Sequence, residues 1–234
     1  MPPRSRIWAK DRSTISPRRR IVSRPIPTAP PFASYSAEQR IIRGFAVAVA
    51  AKGYPATTIA DIAAAASISQ TTFYEHFDGK AEALGAALDS SGAQMLAAVL
   101  PAIKRTTDWK VALRVGFEEL CGFLASEPAF ASLRCVDVYG AGPKALGGRD
   151  YAGTLMIAHL VEPAYAQGLK ASQLQLELSA GAIYGVLFEG VRSGHTADLP
   201  RLAPFLTYFA LAPFIGAEEA CDVANGRGRA GQAG

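Results

Sequence analysis

The chain has 234 residues, half of them apolar and 19% charged, enough to bury a sizeable core and too apolar for a globally disordered chain. No apolar run reaches about 18 residues, so no membrane span is expected. The net charge of +4 is uneven: residues 1–36 hold Arg4, Arg6, Lys10, Arg12, Arg18, Arg19, Arg20 and Arg24 against Asp11 alone, a balance of +7 that leaves −3 for the rest.

Residues 1–36 are rich in Arg and Ser, like a transit peptide, and Arg18-Arg19-Arg20 hints at a twin-arginine signal. Only Ile21 and Val22 follow before Ser23, so there is no apolar region for such a signal. Pro25, Pro27, Pro30 and Pro31 forbid a helix, and the segment reads as a disordered basic arm.

Order begins at Ser36, which with Gln39 three residues on forms a capping-box pattern. Ile42, Phe45, Ala46 and Val49 recur at helical spacing, and Gly53 ends this first helix. Tyr54-Pro55 turns the chain. Thr57 or Thr58 caps a second helix that carries Ile59, Ile62, Ala63 and Ala66 inward. Ser67-Ile68-Ser69 breaks it. Ser69 can cap a third, short helix with Phe73 and Phe77 on one face, and Asp78-Gly79-Lys80 opens a fourth. The pattern then stays helical, over 79–103, 108–125, 128–139, 147–167, 172–193 and 198–214. Pro128 and Pro200 suit first-turn positions, whereas Pro163 should kink or end its segment. Residues 217–234 read as a frayed, flexible tail. Period-2 alternation is nowhere convincing, so the expected class is all-α.

Two short helices around a tight turn, the second with a polar outer face, form a helix-turn-helix pattern. Ile59, Ile62, Ala63, Ile68, Phe73 and Phe77 supply the apolar lock between the helices. Gln70, Thr71 and Thr72 are short polar residues able to reach base edges: Gln pairs bidentately with adenine, and Thr offers a hydroxyl and a methyl.

The stretch Gly53 to Lys80, above all Thr72-Phe-Tyr-Glu-His-Phe-Asp-Gly-Lys80, closely resembles the DNA-binding domain of TetR-type regulators. The resemblance is strong over residues 37–90 and architectural beyond. It implies a DNA-binding domain over 37–80 and a helical ligand-binding and dimerisation bundle over 81–216. It also implies phosphate contacts from Thr58, Tyr74, His76 and Lys80. A Lys at a helix N-terminus is independently a ready anion site. Three departures bear on which DNA is read. Ser67 and Thr71 stand where Gly is frequent, and Ala60 replaces a longer polar residue, so the second helix should read fewer bases.

Helices 172–193 and 198–214 are apolar on most sides, which suggests a surface that covers itself in an isologous dimer; the resemblance implies the same. An effector pocket implied by the resemblance would lie among helices 79–167, with Phe117, Cys121, Phe123, Met156, His159 and Tyr184 as candidate lining and a lipophilic or aromatic ligand. The expected protein is thus a cytoplasmic, homodimeric regulator of transcription that binds a palindromic double-stranded operator as a repressor and is released by a small-molecule effector. The alternative is a helical carrier or enzyme in which the helix-turn-helix is only structural. No catalytic, metal or cofactor motif supports it: His76, His159 and His195 are scattered, and there is no HExxH, GxSxG, P-loop or dinucleotide fingerprint. Cys121, Cys135 and Cys221 are odd in number and widely spaced, which fits reduced thiols in a cytoplasm.

Overall fold

The computed structural model describes residues 35–142 and 162–227. Among them every regular element is helical. The first helix, α1, spans Ala37–Lys52 and starts as the sequence predicts. The Gln39 amide donates to the Ser36 hydroxyl (3.2 Å), and the Ser36 amide donates to the Gln39 side-chain carbonyl (3.0 Å). Gly53, at φ +77°, stops it and donates its own amide to Val49. Helix α2 (Ile59–Ala66) is capped by Thr58, and α3 (Gln70–Tyr74) by Ser69. Helix α4 (Lys80–Ile103) then leads away into α5 (Trp109–Ser126) and α6 (Pro128–Cys135), with Pro128 in the first turn of α6.

One core joins the first three helices to α4 and α6. Ile41, Phe45 and Val49 of α1, Ile62 of α2, Phe73 of α3, Leu84 and Leu88 of α4, and Phe130 and Leu133 of α6 are buried together. Gly44 lets α1 and α2 touch: a Cβ there would lie 2.6–2.8 Å from the backbone N, Cα and Cβ of Ala66. Arg43 adds a polar tie from α1 to the start of α6, forking onto the Glu127 carboxylate at 3.2–3.3 Å above the Phe130 ring. By length and composition α4 could cross a bilayer, but Ala83, Leu84, Ala87, Leu88, Met95 and Val99 spend its apolar face inside the protein.

Two expected helices are shorter than the sequence suggests. The 128–139 segment ends as an α-helix at Cys135, and Asp137–Ala141 continues as a 3-10 turn. Ser132 donates its hydroxyl to the Asp137 carboxylate (2.7 Å), and the Tyr184 hydroxyl donates to the Cys135 carbonyl (2.7 Å), so side chains take over where the ladder stops. The 198–214 segment is split into a 3-10 stretch, Thr196–Leu202, and helix α8, Ala203–Ile215. Pro200 and Pro204 explain the split: each lacks an N–H, and Pro204 would clash with the carbonyl four residues back in a continuous helix. The expected 147–167 helix falls mostly outside the described residues; its end is helical over 162–166.

Helix α7 spans Gln173–Arg192 behind a Ser172–Gln175 capping box. The tail expected over 217–234 contains a further helix, α9, at Ala217–Ala224. Gly216, at φ +85°, turns the chain, Glu218 and Glu219 occupy the first turn where the helix dipole favours them, and Ala220, Val223 and Ala224 pack inward. A second core of Trp109, Leu211, Ala220 and Val223 holds α9 against α5 and α8. The Lys110–Glu219 pair (2.7 Å) ties it further, and the hydrogen bond to Glu219 raises the Lys110 pKa.

Candidate nucleic-acid interface

The α2–α3 unit is built around its two phenylalanines. Phe73 is fully buried and Phe77 nearly so, their ring centroids 5.8 Å apart, with Ile62 beneath and Ile59 and Ile68 at the margin. Between the helices Ser67 adopts a left-handed conformation (φ 56°, ψ 48°). Its amide donates to Ala64, and the Ile68 amide donates back to Ala63, which closes the last turn of α2. This is the turn that the sequence places at a residue less tolerant of positive φ than Gly.

With the lock buried, the other face of α3 is left to solvent. Gln70 and Thr71 are exposed, and Thr72 is half-buried. The Thr72 hydroxyl lies 3.0 Å from that of Ser69, and its amide donates to the Ser69 hydroxyl at 2.9 Å, so this residue serves the cap as well as the surface. Tyr74 is 57% exposed with its ring set edge-on to Phe73, and His76 is exposed beside it. The outward residues of α2 are Ala60 and Ala64, both small, as the substitution at Ala60 leads one to expect.

Thr58 is exposed at the N-terminus of α2 and carries a full capping box with Asp61. The Thr58 amide and hydroxyl both donate to Asp61 Oδ2, at 3.0 and 2.8 Å, and the Asp61 amide donates back to the hydroxyl. A hydrogen bond from Lys52, with those from Thr58, lowers the Asp61 pKa to about 2, so the carboxylate is charged at neutral pH. Thr57, the other candidate cap, is buried instead. Its hydroxyl donates to the Gly53 carbonyl at 2.8 Å and reaches the Ala48 carbonyl at 3.3 Å, pinning the loop to the end of α1. Lys80 is half-buried. Its ammonium donates to the carbonyls of Tyr54 (2.8 Å) and Thr57 (2.9 Å), and sits 4.4 Å from the centre of the Tyr54 ring. Residues 35–80 carry four basic and four acidic side chains, so this unit is electrically balanced, in contrast to the +7 of residues 1–34.

Four of the six expected effector residues lie among the described residues. Phe117 and Cys121 are buried in packing, and burial pushes the Cys121 thiol up to about 12, leaving it neutral. Phe123 is half-buried. Met156 and His159 lie outside the described residues. Tyr184 lines an open groove of about 330 Å³ with Val136, Tyr139, Gly185 and Phe188, where the three rings stand 6.0–6.5 Å apart. The break in α6 at Val136 creates this groove by bringing Tyr139 onto α7, which a continuous helix in the sequence reading hides.

Large apolar side chains are exposed on the last long helices: Leu174 (63%) and Leu178 (65%) on α7, and Phe205 (60%) and Phe209 (57%) on α8. Each pair is four residues apart, hence on one helix face. Gly181, Ala182 and Gly185 continue the α7 stripe and are likewise exposed.

Residues 42–87 match the bacterial regulatory proteins of the tetR family. No curated protein matches the chain. Among solved structures, the fatty acid degradation regulator FadR from Bacillus halodurans is 18% identical with a TM-score of 0.64, over 74% of this chain and 96% of that one. FadR from Bacillus subtilis, solved in complex with stearoyl-CoA, is 17% identical with a TM-score of 0.63, over 74% and 97%. The TetR-family regulator PfmR from Thermus thermophilus is 23% identical with a TM-score of 0.58, over 75% and 95%. The helix-turn-helix is therefore that of TetR-family DNA-binding regulators, set in the fold those regulators share.

Proposed function

Starting from a helix-turn-helix that matches the tetR family, we propose that this protein is a non-enzymatic repressor that acts in the cytoplasm as a homodimer and is released from a palindromic operator by an apolar effector. The observation that carries the reading is α3: a short helix locked from beneath by Phe73 and Phe77, with Gln70, Thr71 and Tyr74 left on the outside. Placed in a major groove, Gln70, Thr71 and Thr72 read bases, and Thr58, Tyr74 and His76 hold the flanking phosphates. Phosphate contacts fix register and base contacts supply sequence.

The exposed stripes on α7 and α8 support dimerisation through these two helices. Burying a Leu or Phe side chain stabilises by about 1.5–3 kcal/mol, and an isologous interface counts each of the four twice. A dimer sets the two α3 helices on half-sites one turn, or a multiple of about 34–36 Å, apart. The effector shifts the population towards a spacing that does not fit DNA. The aromatic groove of Tyr139, Tyr184 and Phe188 favours an apolar ligand. Stearoyl-CoA, bound by the Bacillus subtilis neighbour, makes long-chain acyl-CoA the first effector to assay.

Selection of bound duplexes from a random pool tests the reading. A two-fold symmetric consensus is expected, with release on adding an acyl-CoA or an aromatic lipophile. A pool that stays unenriched contradicts the proposal.

A further inference from the structure

Lys80 is charged, stands at the head of α4 and lies beside the residues assigned to phosphate, yet its ammonium is turned inward. It donates to the Tyr54 carbonyl at 2.8 Å and the Thr57 carbonyl at 2.9 Å, with the Pro55 carbonyl at 3.5 Å and the Tyr54 ring under it at 4.4 Å. An ammonium has three protons and no acceptor, so these carbonyls and the ring meet its whole donor capacity. All of these partners belong to the loop that joins α1 to α2. The same loop is pinned from within by the buried Thr57 hydroxyl on Gly53 and Ala48. The 3-10 turn comes close to it, such that a Cβ on Gly140 would lie 3.3 Å from the Pro55 ring. Thr58, the cap of α2, is the next residue.

We infer that Lys80 is a positioning residue for DNA binding. It clamps the 54–57 loop so that Thr58 and the first turn of α2 are presented in one fixed place, and it does not pair with a phosphate itself. The assignment rests on the DNA-binding reading above, but the two can fail separately. The charge balance of residues 35–80 fits it, since Lys52 is engaged by Asp61 and Arg43 by Glu127.

The test uses the full chain with Lys80→Met and Lys80→Arg. Affinity for one random-sequence duplex is measured over roughly 50–200 mM salt, and amide hydrogen exchange is followed without DNA. The clamp predicts faster exchange at Thr57 and Thr58 in both variants and a loss of affinity of about tenfold. It also predicts a plot of log affinity against log salt parallel to that of the unaltered chain. Lys80→Arg keeps the charge but cannot set its planar fork among three carbonyls, so it should fail like Lys80→Met. A phosphate contact predicts the opposite: a slope smaller by about 0.9 in Lys80→Met and near-normal binding in Lys80→Arg, and either result overturns the inference. Unaltered exchange at Thr57 and Thr58 overturns it as well. If the unaltered chain binds no duplex, the DNA-binding reading fails, while the exchange data still decide the clamp.

Discussion

Gly44→Ala tests whether the angle between α1 and α2 is set by direct backbone contact. The added methyl would stand 2.6–2.8 Å from three atoms of Ala66, two of them backbone. Carbon atoms pack best at about 3.5–4.0 Å, so the two helices must part by roughly 0.7 Å or more. Neither side yields cheaply: Ile41, Phe45, Ile62 and Phe73 are fully buried around the crossing. Overpacking of this kind costs about 1–3 kcal/mol, and rigid backbone places it at the upper end. Replacing Gly by Ala within a helix returns about 1 kcal/mol, which leaves a net loss of about 2 kcal/mol. In a protein of this size that lowers the midpoint of thermal unfolding by about 4–8 °C. Gly85→Ala is the control. Gly85 is exposed in α4 with no atom within 4 Å of its added Cβ, so the helix preference acts alone and stability rises by about 1 kcal/mol. Thermal unfolding followed by circular dichroism reads both. If Gly44→Ala is as stable as Gly85→Ala, the contact at Ala66 does not set the helix crossing and the reasoning is refuted.

Ser67→Gly should stabilise by about 0.5 kcal/mol in urea unfolding, because removing about 1–2 kcal/mol of left-handed strain outweighs about 0.5–1 kcal/mol of extra chain entropy; a loss of stability would mean Ser67 makes an unrecognised contact. Asp61→Asn should destabilise the chain at neutral pH. The folded pKa of Asp61, about 2, lies below the ordinary value near 3.9, so its contribution is present above about pH 4 and fades as pH falls towards 2. The gap between Asp61→Asn and the unaltered chain should therefore close over that window, and a gap that persists at pH 2 would assign the effect to something other than the charge. Phe209→Glu places a charge in the middle of the α8 stripe and should convert a dimer to monomers in sedimentation, whereas an unchanged mass would remove this face from the interface.

Much of the helix-turn-helix is legible in the sequence because its signals are local. A hydroxyl followed three residues later by Gln marks the start of α1, and Gly53 marks its end. Phe73 and Phe77, four apart beside exposed Gln70 and Thr71, give α3 its inner and outer faces. Elements set by contacts distant in sequence are less visible. The break in α6 depends on Tyr184 reaching Cys135 across 49 residues, and the groove at Tyr139 follows from that break. Helix α9 carries Ala220, Val223 and Ala224 at helical spacing, but their partners, Trp109 and Leu211, lie elsewhere in the chain. A glycine- and alanine-rich end reads as a tail until those partners are known. Lys80 shows the same limit within the motif itself. Its position favours an anion, and only the folded loop reveals three carbonyls within its reach.

Whether α3 reads bases in a major groove is decided by comparing the sequence profile selected from a random duplex pool by the unaltered chain with that selected by Gln70→Ala. A base-reading α3 gives a symmetric profile in which Gln70→Ala relaxes the preference at one position of each half-site and leaves the others intact, a discrimination of about 1–3 kcal/mol lost at that position. Identical profiles from the two proteins would contradict it.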